Sequence, residues 1–318
     1  MAIPRFLVCL FATLSLAAHA AYPEKPIRFI LGSAAGGSVD VLMRILAQQL
    51  AVQMGQPFVV ENKPGASFVP ATMDVVKAAP DGYTLGYGNI VSLAINRTLL
   101  PKLPYDVDKD LTLISNCVLG FNMLVVNNDL PVKNVRELID YAKKHPGKLS
   151  NGSSGNGTTG HLGGELFKFM TGVEILHVPY KGSPQAINDL MSGNIQVMFD
   201  NSSSISPHVK AGRVRGLGVS APQRSAIFPG LPAIAETVPG YETNTWGGVI
   251  GPARLPQEIT RRLSMEIQRA LASPAVAERY RALDTEPDGS GPDAFVELVR
   301  KETPKWGDVI RRSGAKID

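Results

Sequence analysis

Short apolar runs alternate along this chain with longer segments whose apolar residues recur every three or four positions, and that alternation restricts the fold more than any other feature. Ile27-Arg28-Phe29-Ile30-Leu31 has the length and β-branched content of a strand. Just beyond a Gly/Ala/Ser turn, Val41, Leu42, Ile45, Leu46 and Leu50 share one helical face. Phe58-Val59-Val60, Thr84 to Tyr87, Met123 to Val126, Ile175 to Val178, Ile195 to Phe199 and Val214 to Val219 read as further strands. Val135, Leu138, Ile139 and Ala142 mark a helix stopped by His145-Pro146-Gly147. Pro256 opens another, carrying Ile259, Leu263, Ile267 and Leu271. Ser273-Pro274 and Gly291-Pro292 start two more, with proline at the first helical position, where its missing N–H costs nothing. Pro304 falls inside the last of these and is predicted to kink or split it. Such an order requires parallel sheets clad by helices, an α/β fold. The 318 residues suffice for about two domains, and with no tandem repeat or low-complexity linker the two are expected to be joined by short crossings.

The first twenty residues stand apart. Arg5 supplies a minimal positive region, Phe6 to Ala18 is apolar, and Ala18-His19-Ala20 is a small-x-small cleavage site, so 1–20 reads as a secretory signal peptide cut after Ala20. A membrane anchor needs about 20 apolar residues, and this run stops sooner. The mature chain is therefore expected to be exported. Cleavage also removes Cys9, leaving Cys117 alone, so no intramolecular disulfide is expected. Its neighbours Leu111 to Leu119 alternate apolar and polar, which marks a buried, inert thiol.

Composition excludes several function classes. At 44% hydrophobic and 19% charged the chain is an ordinary globular one. Without Arg5 it holds 31 basic against 28 acidic residues, far from the clustered positive charge that nucleic acid demands.

Two glycine-rich loops carry the chemistry. Gly32-Ser33-Ala34-Ala35-Gly36-Gly37-Ser38-Val39-Asp40 joins the first strand to the first helix. Asn151-Gly152-Ser153-Ser154-Gly155-Asn156-Gly157-Thr158-Thr159-Gly160-His161 leads into a second helix with Leu162, Leu166, Phe169 and Met170. Each ends at a helix N-terminus, where free N–H groups and the dipole favour an anion. Ser38, Ser153, Ser154, Thr158 and Thr159 add hydroxyl donors. The competing reading is that these are only caps and tight turns.

Gly155-x-Gly157-x-x-Gly160 also fits a dinucleotide fingerprint, but Lys148-Leu149-Ser150-Asn151 before it holds one apolar residue and Glu174 begins rather than ends the next strand. No Gly-x-Ser-x-Gly elbow, His-Glu-x-x-His or Walker A motif occurs. His145, His161, His177 and His208 are too widely spaced to form a metal pair, so neither metal nor cofactor is expected. A secreted hydrolase using Ser153 or Ser154 with His161 stays open at this point. Trp246 and Trp306 read as packing residues.

Ala34 to Asp40, Val60-Glu61-Asn62-Lys63-Pro64-Gly65-Ala66, Pro80-Asp81-Gly82-Tyr83-Thr84-Leu85, Tyr105-Asp106 with Lys109-Asp110, His145 to Leu149, Gly160 to Phe167, and His177-Val178-Pro179-Tyr180-Lys181-Gly182 form an ordered set of motifs. Taken together they resemble the Bug family, the extracytoplasmic solute receptors of tripartite tricarboxylate transporters. The resemblance runs from Tyr22 to the C-terminus. It implies a type II periplasmic-binding-protein fold, two α/β lobes joined by hinge crossings with a ligand cleft between them. It also implies a non-enzymatic, monomeric receptor that closes on a small di- or tricarboxylate, acidic amino acid or related acid and hands it to the transporter's membrane subunits, or to a sensor kinase through the same cleft. The lobes would be 21–123 with 245–318, and 124–244. Ligand contacts would come from Ser33, Ala35, Gly36, Gly37, Ser38 and Asp40 in the first loop and Ser153, Ser154, Asn156, Thr158, Thr159 and His161 in the second. Asn89, Ser92, Tyr180 and Lys181 would shape the distal end, with Asp200 closing its strand at the cleft. Two departures stand out: Gly32-Ser33 replaces the family's usual Pro-Phe, and Val39 its usual Thr, so a donor is lost at Val39 and one offered at Ser33.

Overall fold

The computed structural model describes residues 22–225 and 228–316. The predicted signal peptide, 1–20, lies outside the described residues.

The first part of the chain forms β1 (Ile27–Leu31), α1 (Ser38–Met54), β2 (Phe58–Asn62), α2 (Val69–Val76), β3 (Thr84–Asn89), α3 (Asn96–Leu99) and α4 (Val107–Asp110). A long strand, β4 (Leu111–Val126), leads into α5 (Val135–Lys144), β5 (Leu149–Ser153), α6 (Thr159–Thr171), β6 (Ile175–Pro179), α7 (Ser183–Met191), β7 (Val197–Asn201), α8 (Ser202–Lys210) and β8 (Arg215–Val219). The chain returns through β9 (Asn244–Pro252) and ends in α9 (Gln257–Ala272), α10 (Pro274–Ala282), β10 (Glu286–Pro287) and α11 (Pro292–Ser313).

The strands make two half-sheets of one design. In the first, β2, β1 and β3 run parallel, β9 lies antiparallel beside β3, and β4 lies antiparallel beyond β9, in the order β2-β1-β3-β9-β4, with the two-residue β10 paired to β4. In the second, β6, β5 and β7 run parallel, β4 lies antiparallel beside β7, and β8 pairs with its other edge. β4 belongs to both: Leu111 to Phe121 pairs with β9, whereas Asn122 to Val126 pairs with β7 and β8. Helices cover both faces, as parallel strands buried on two sides require. Leu42, Met43, Ile45, Leu46 and Leu50 of α1 pack under the first half-sheet with Leu263, Ile267 and Leu271 of α9. α11 lies against α3 and also against α6, so it bridges the two lobes.

The structure corrects three expectations. Met123 to Val126 is the far end of one 16-residue strand that begins at Leu111. Leu149–Ser153 is a true strand although it reads as polar: Asn151, Gly152 and Ser153 are buried between β6 and β7, where close packing rather than apolar side chains sets the conformation. α11 runs unbroken through Pro304. Phe295, Val299, Trp306, Val309 and Ile310, all buried on one face, outweigh the roughly 3 kcal/mol that an interior proline costs. Cys117 is fully buried, and burial pushes its thiol up to about 12, as an inert core thiol should behave. Among the described residues no helix is long and apolar enough to cross a membrane.

Candidate functional site

The loops after β1 and β5 occupy equivalent places at the carboxyl ends of the two half-sheets, and they face each other across a cleft. The cleft has an outer chamber of 720 Å³ and an inner one of 70 Å³. Ser38, Val39, Phe68, Ser154, Thr158 and Asn201 line both. The first residues of α1, α6 and α8, namely Ser38, Thr159 and Ser202, all reach the inner chamber. Three helix N-termini thus converge on one small volume, an arrangement that stabilises negative charge with N–H groups and needs no buried cation. A third hollow, of 350 Å³, lies between Gly36-Gly37-Ser38 and α7 and α8.

Each loop is shaped by the same device. Gly36 and Gly157 both hold φ at +76°, a left-handed conformation that glycine adopts without strain. Each donates its backbone N–H to the side chain four residues on, the third residue of the following helix. In α1 that acceptor is Asp40 Oδ2, at 2.9 Å; in α6 it is His161 Nδ1, at 3.0 Å. Burial pushes the Asp40 carboxyl up, but hydrogen bonds from Arg44, Gly36 and Asn62 outweigh it and hold the group below its usual value. His161 stacks on His177 with ring centroids 3.9 Å apart, and burial takes both imidazoles down to about 4, so they are neutral near pH 7.

Of the residues expected at the ligand, Ser33, Gly37, Ser38, Asn89, Ser154, Asn156, Thr158, Thr159, Tyr180 and Lys181 line the two chambers. Gly36 borders the third hollow. Ala35, Asp40, Ser92, Ser153, His161 and Asp200 line none of these volumes. Ser92 instead supports a turn: its Oγ accepts from Asn89 N at 3.0 Å while Asn89 Oδ1 accepts from Val91 N and Ser92 N. Asp200 is buried on β7, accepts from Ser183 Oγ at 2.9 Å, and burial raises its carboxyl to about 7.

The Ser153–His161 pair does not form as expected. Ser153 Oγ meets His177 Nε2 at 2.7 Å rather than His161, whose Nδ1 is occupied by Gly157 N–H. Ser153 is fully buried and also bonds Gly155 O, so no substrate carbonyl reaches it. Among the described residues no group of His, Cys, Asp or Glu is arranged to hold a metal.

Phe68, Tyr87, Asn201, Ser202, Ser203 and Trp246 also line the inner chamber and escaped the sequence reading. Asn201-Ser202-Ser203 had a signal, since a polar run after an apolar strand mirrors Asn89 at the end of β3. The lobes touch across the cleft: Ser67 Oγ donates to Asn156 O at 3.0 Å and Asn201 Nδ2 to Ser38 Oγ at 3.3 Å. Deeper in, Asp284 bonds Ser206 Oγ and, at 2.7 Å, Lys210 Nζ of α8.

The profile of the tripartite tricarboxylate transporter family receptors matches residues 42–315. The chain belongs to this receptor family. The receptor is similar to BugT of Bordetella pertussis, 35% identical over 298 residues that cover 93% of this chain and 91% of BugT. Among solved structures it is similar to Rpa4515 of Rhodopseudomonas palustris with adipate, with TM-score 0.90, 36% identity, and coverage of 93% of this chain and 100% of the other. It is also similar to MatC of the same organism with bound malate, with TM-score 0.86, 28% identity and coverage of 91% and 100%. The receptor fold is thus of the type II periplasmic-binding kind, and its structural neighbours include periplasmic binding proteins.

Proposed function

We propose that this chain is an exported, non-enzymatic receptor that captures a small carboxylate between its lobes and delivers it from the periplasm to the membrane subunits of a tripartite tricarboxylate transporter. The observation that carries the reading is the convergence of the N-termini of α1, α6 and α8 on one chamber, two lobes contributing donors to the same small volume. The adipate and malate held by two similar receptors support a carboxylate as the ligand class. In this reading the crossings at 121–122 and 243–244 act as the hinge, because β4 changes partners at the first and β9 begins at the second. Closure removes water from the chamber and strengthens each hydrogen bond to the anion. The receptor acts as a monomer, with both walls of the site supplied by one chain.

A thermal-shift screen across mono- and dicarboxylates tests the reading, since a ligand that binds only the folded state raises the melting temperature. At least one acid is expected to raise it by several degrees at millimolar concentration; no shift from any carboxylate would overturn the reading.

A further inference from the structure

Two consecutive residues beside the cleft, Ser67 and Phe68, hold left-handed backbone although neither is glycine, with φ at +52° and +68°. Such a conformation is strained for any side chain and persists only where the surroundings over-determine it. Here they do. Asn96 Nδ2 donates to Ser67 O at 2.8 Å, Thr72 Oγ1 to Phe68 O at 3.0 Å, and Phe68 N to Gly65 O at 3.0 Å. From the same turn Ser67 Oγ reaches Asn156 O on the facing loop. The turn lays the phenyl ring on Gly32, at the exit of β1: a Cβ there would overlap Phe68 Cδ1. Gly32 is not among the glycines with positive φ, so its missing side chain serves to make room for the ring. Phe68 is also the one aromatic residue that lines both chambers; Ser38, Val39, Ser154, Thr158 and Asn201, the others shared by the two walls, are all smaller.

We propose that Phe68 determines specificity for ligand girth: its ring, seated on Gly32, is the partition between the chambers and limits what passes it to a slender, unbranched chain. The inference rests on the receptor reading of the cleft and adds a size limit to it. A benzene-sized guest fills a cavity of about 150 Å³. The inner chamber, at 70 Å³, is too small for one while the Phe68 ring stands in its wall. Without that ring the inner chamber opens onto the 720 Å³ outer one, where a ring has ample room. The strained turn suits this task, because a partition must keep its place against an incoming ligand, and the bonds from α2, α3 and the facing loop leave the Phe68 backbone nowhere to retreat.

Isothermal titration with two pairs of diacids of similar span and different girth tests this: adipate with terephthalate, and glutarate with isophthalate. In the unmodified protein each ring-bearing acid is expected to bind at least about 100-fold more weakly than its straight-chain partner, and Phe68→Gly is expected to cut that ratio by about tenfold or more. Glycine suits the left-handed turn, so this variant should keep the fold, which circular dichroism checks. Gly32→Ala reads the same contact from the other side. It pushes on the ring in the unmodified protein but meets open space in Phe68→Gly, so it is expected to raise the Kd of the better straight-chain acid by about fivefold in the first and by less than about twofold in the second. A ring-bearing acid that binds the unmodified protein as well as its partner, a ratio that Phe68→Gly leaves unchanged, or an equal effect of Gly32→Ala in both backgrounds would overturn the partition and leave the receptor reading intact. No binding by any carboxylate sinks the receptor reading itself.

Discussion

The loops after β1 and β5 do one job with different chemistry. Their hinge glycines share the same φ, their cap residues are both extended, and the third helical residue in each accepts from the glycine four positions back. Yet the first anchor is a carboxylate tied to Arg44 and the second a neutral imidazole stacked on another. The backbone geometry is thus what the proposed anion site requires, and the side chain that enforces it is interchangeable provided it presents a lone pair. The choice matters through charge. Asp40 brings a negative charge close to the proposed anion site, with Arg44 beside it, whereas His161 brings none.

The largest difference to exploit lies in how the helices meet their sheets. A Cβ at Gly160 would sit 2.2 Å from the Phe199 carbonyl oxygen, so Gly160→Ala is expected to cost about 2–3 kcal/mol. The matching residue of α1 is Val39, which already carries a side chain, and Val39→Ala is expected to cost less than about 1 kcal/mol. Urea denaturation of both variants checks the contrast.

Acid should separate the loops next. For His161 and His177 the folded value, about 4, lies below the unfolded one, so their stabilisation is complete above pH 6.5 and is lost as the pH falls through 4. Asp200 acts oppositely: its folded value, about 7, is raised, so its contribution is complete below pH 3.8 and is lost as the pH rises through 7. The two slopes oppose each other between pH 4 and 6.5. Asp200→Asn is expected to raise stability at pH 8 by about 1 kcal/mol and to expose the histidine slope, read from melting temperatures across pH 4 to 8. Asp40 holds its proton affinity below the usual carboxylate value, so amide exchange should open the second loop at a higher pH than the first. The smallest effect is a similarity: Gly36→Ala and Gly157→Ala place Ala at the same positive φ and are each expected to cost about 1 kcal/mol, equal within error in chemical denaturation.

Where apolar content and period were strong, the sequence was readable: β1, α1, β6, β8 and α9 are encoded by neighbours a few residues apart, as are the two glycine loops. The polar strand β5 was not, because its burial comes from β6 and β7 and not from its own residues. Nor were the roles of Ser153 and His161. Proximity in sequence pairs them, but His177, brought over from the next strand, takes the serine hydroxyl and stacks against the other ring. Trp246 reads as packing, and its ring does pack edge-on against Phe295; only the assembled cleft shows that its indole N–H is left unpaired.

The long strand β4 has a consequence for how such a chain can be divided. Each half of the molecule completes its sheet with a strand running on from, or returning to, the other, so no cut through the gene yields a half with all its backbone partners. A severed lobe would expose a bare strand edge and invite aggregation. The two halves are therefore bound to appear, and to be inherited, as a single cooperative unit.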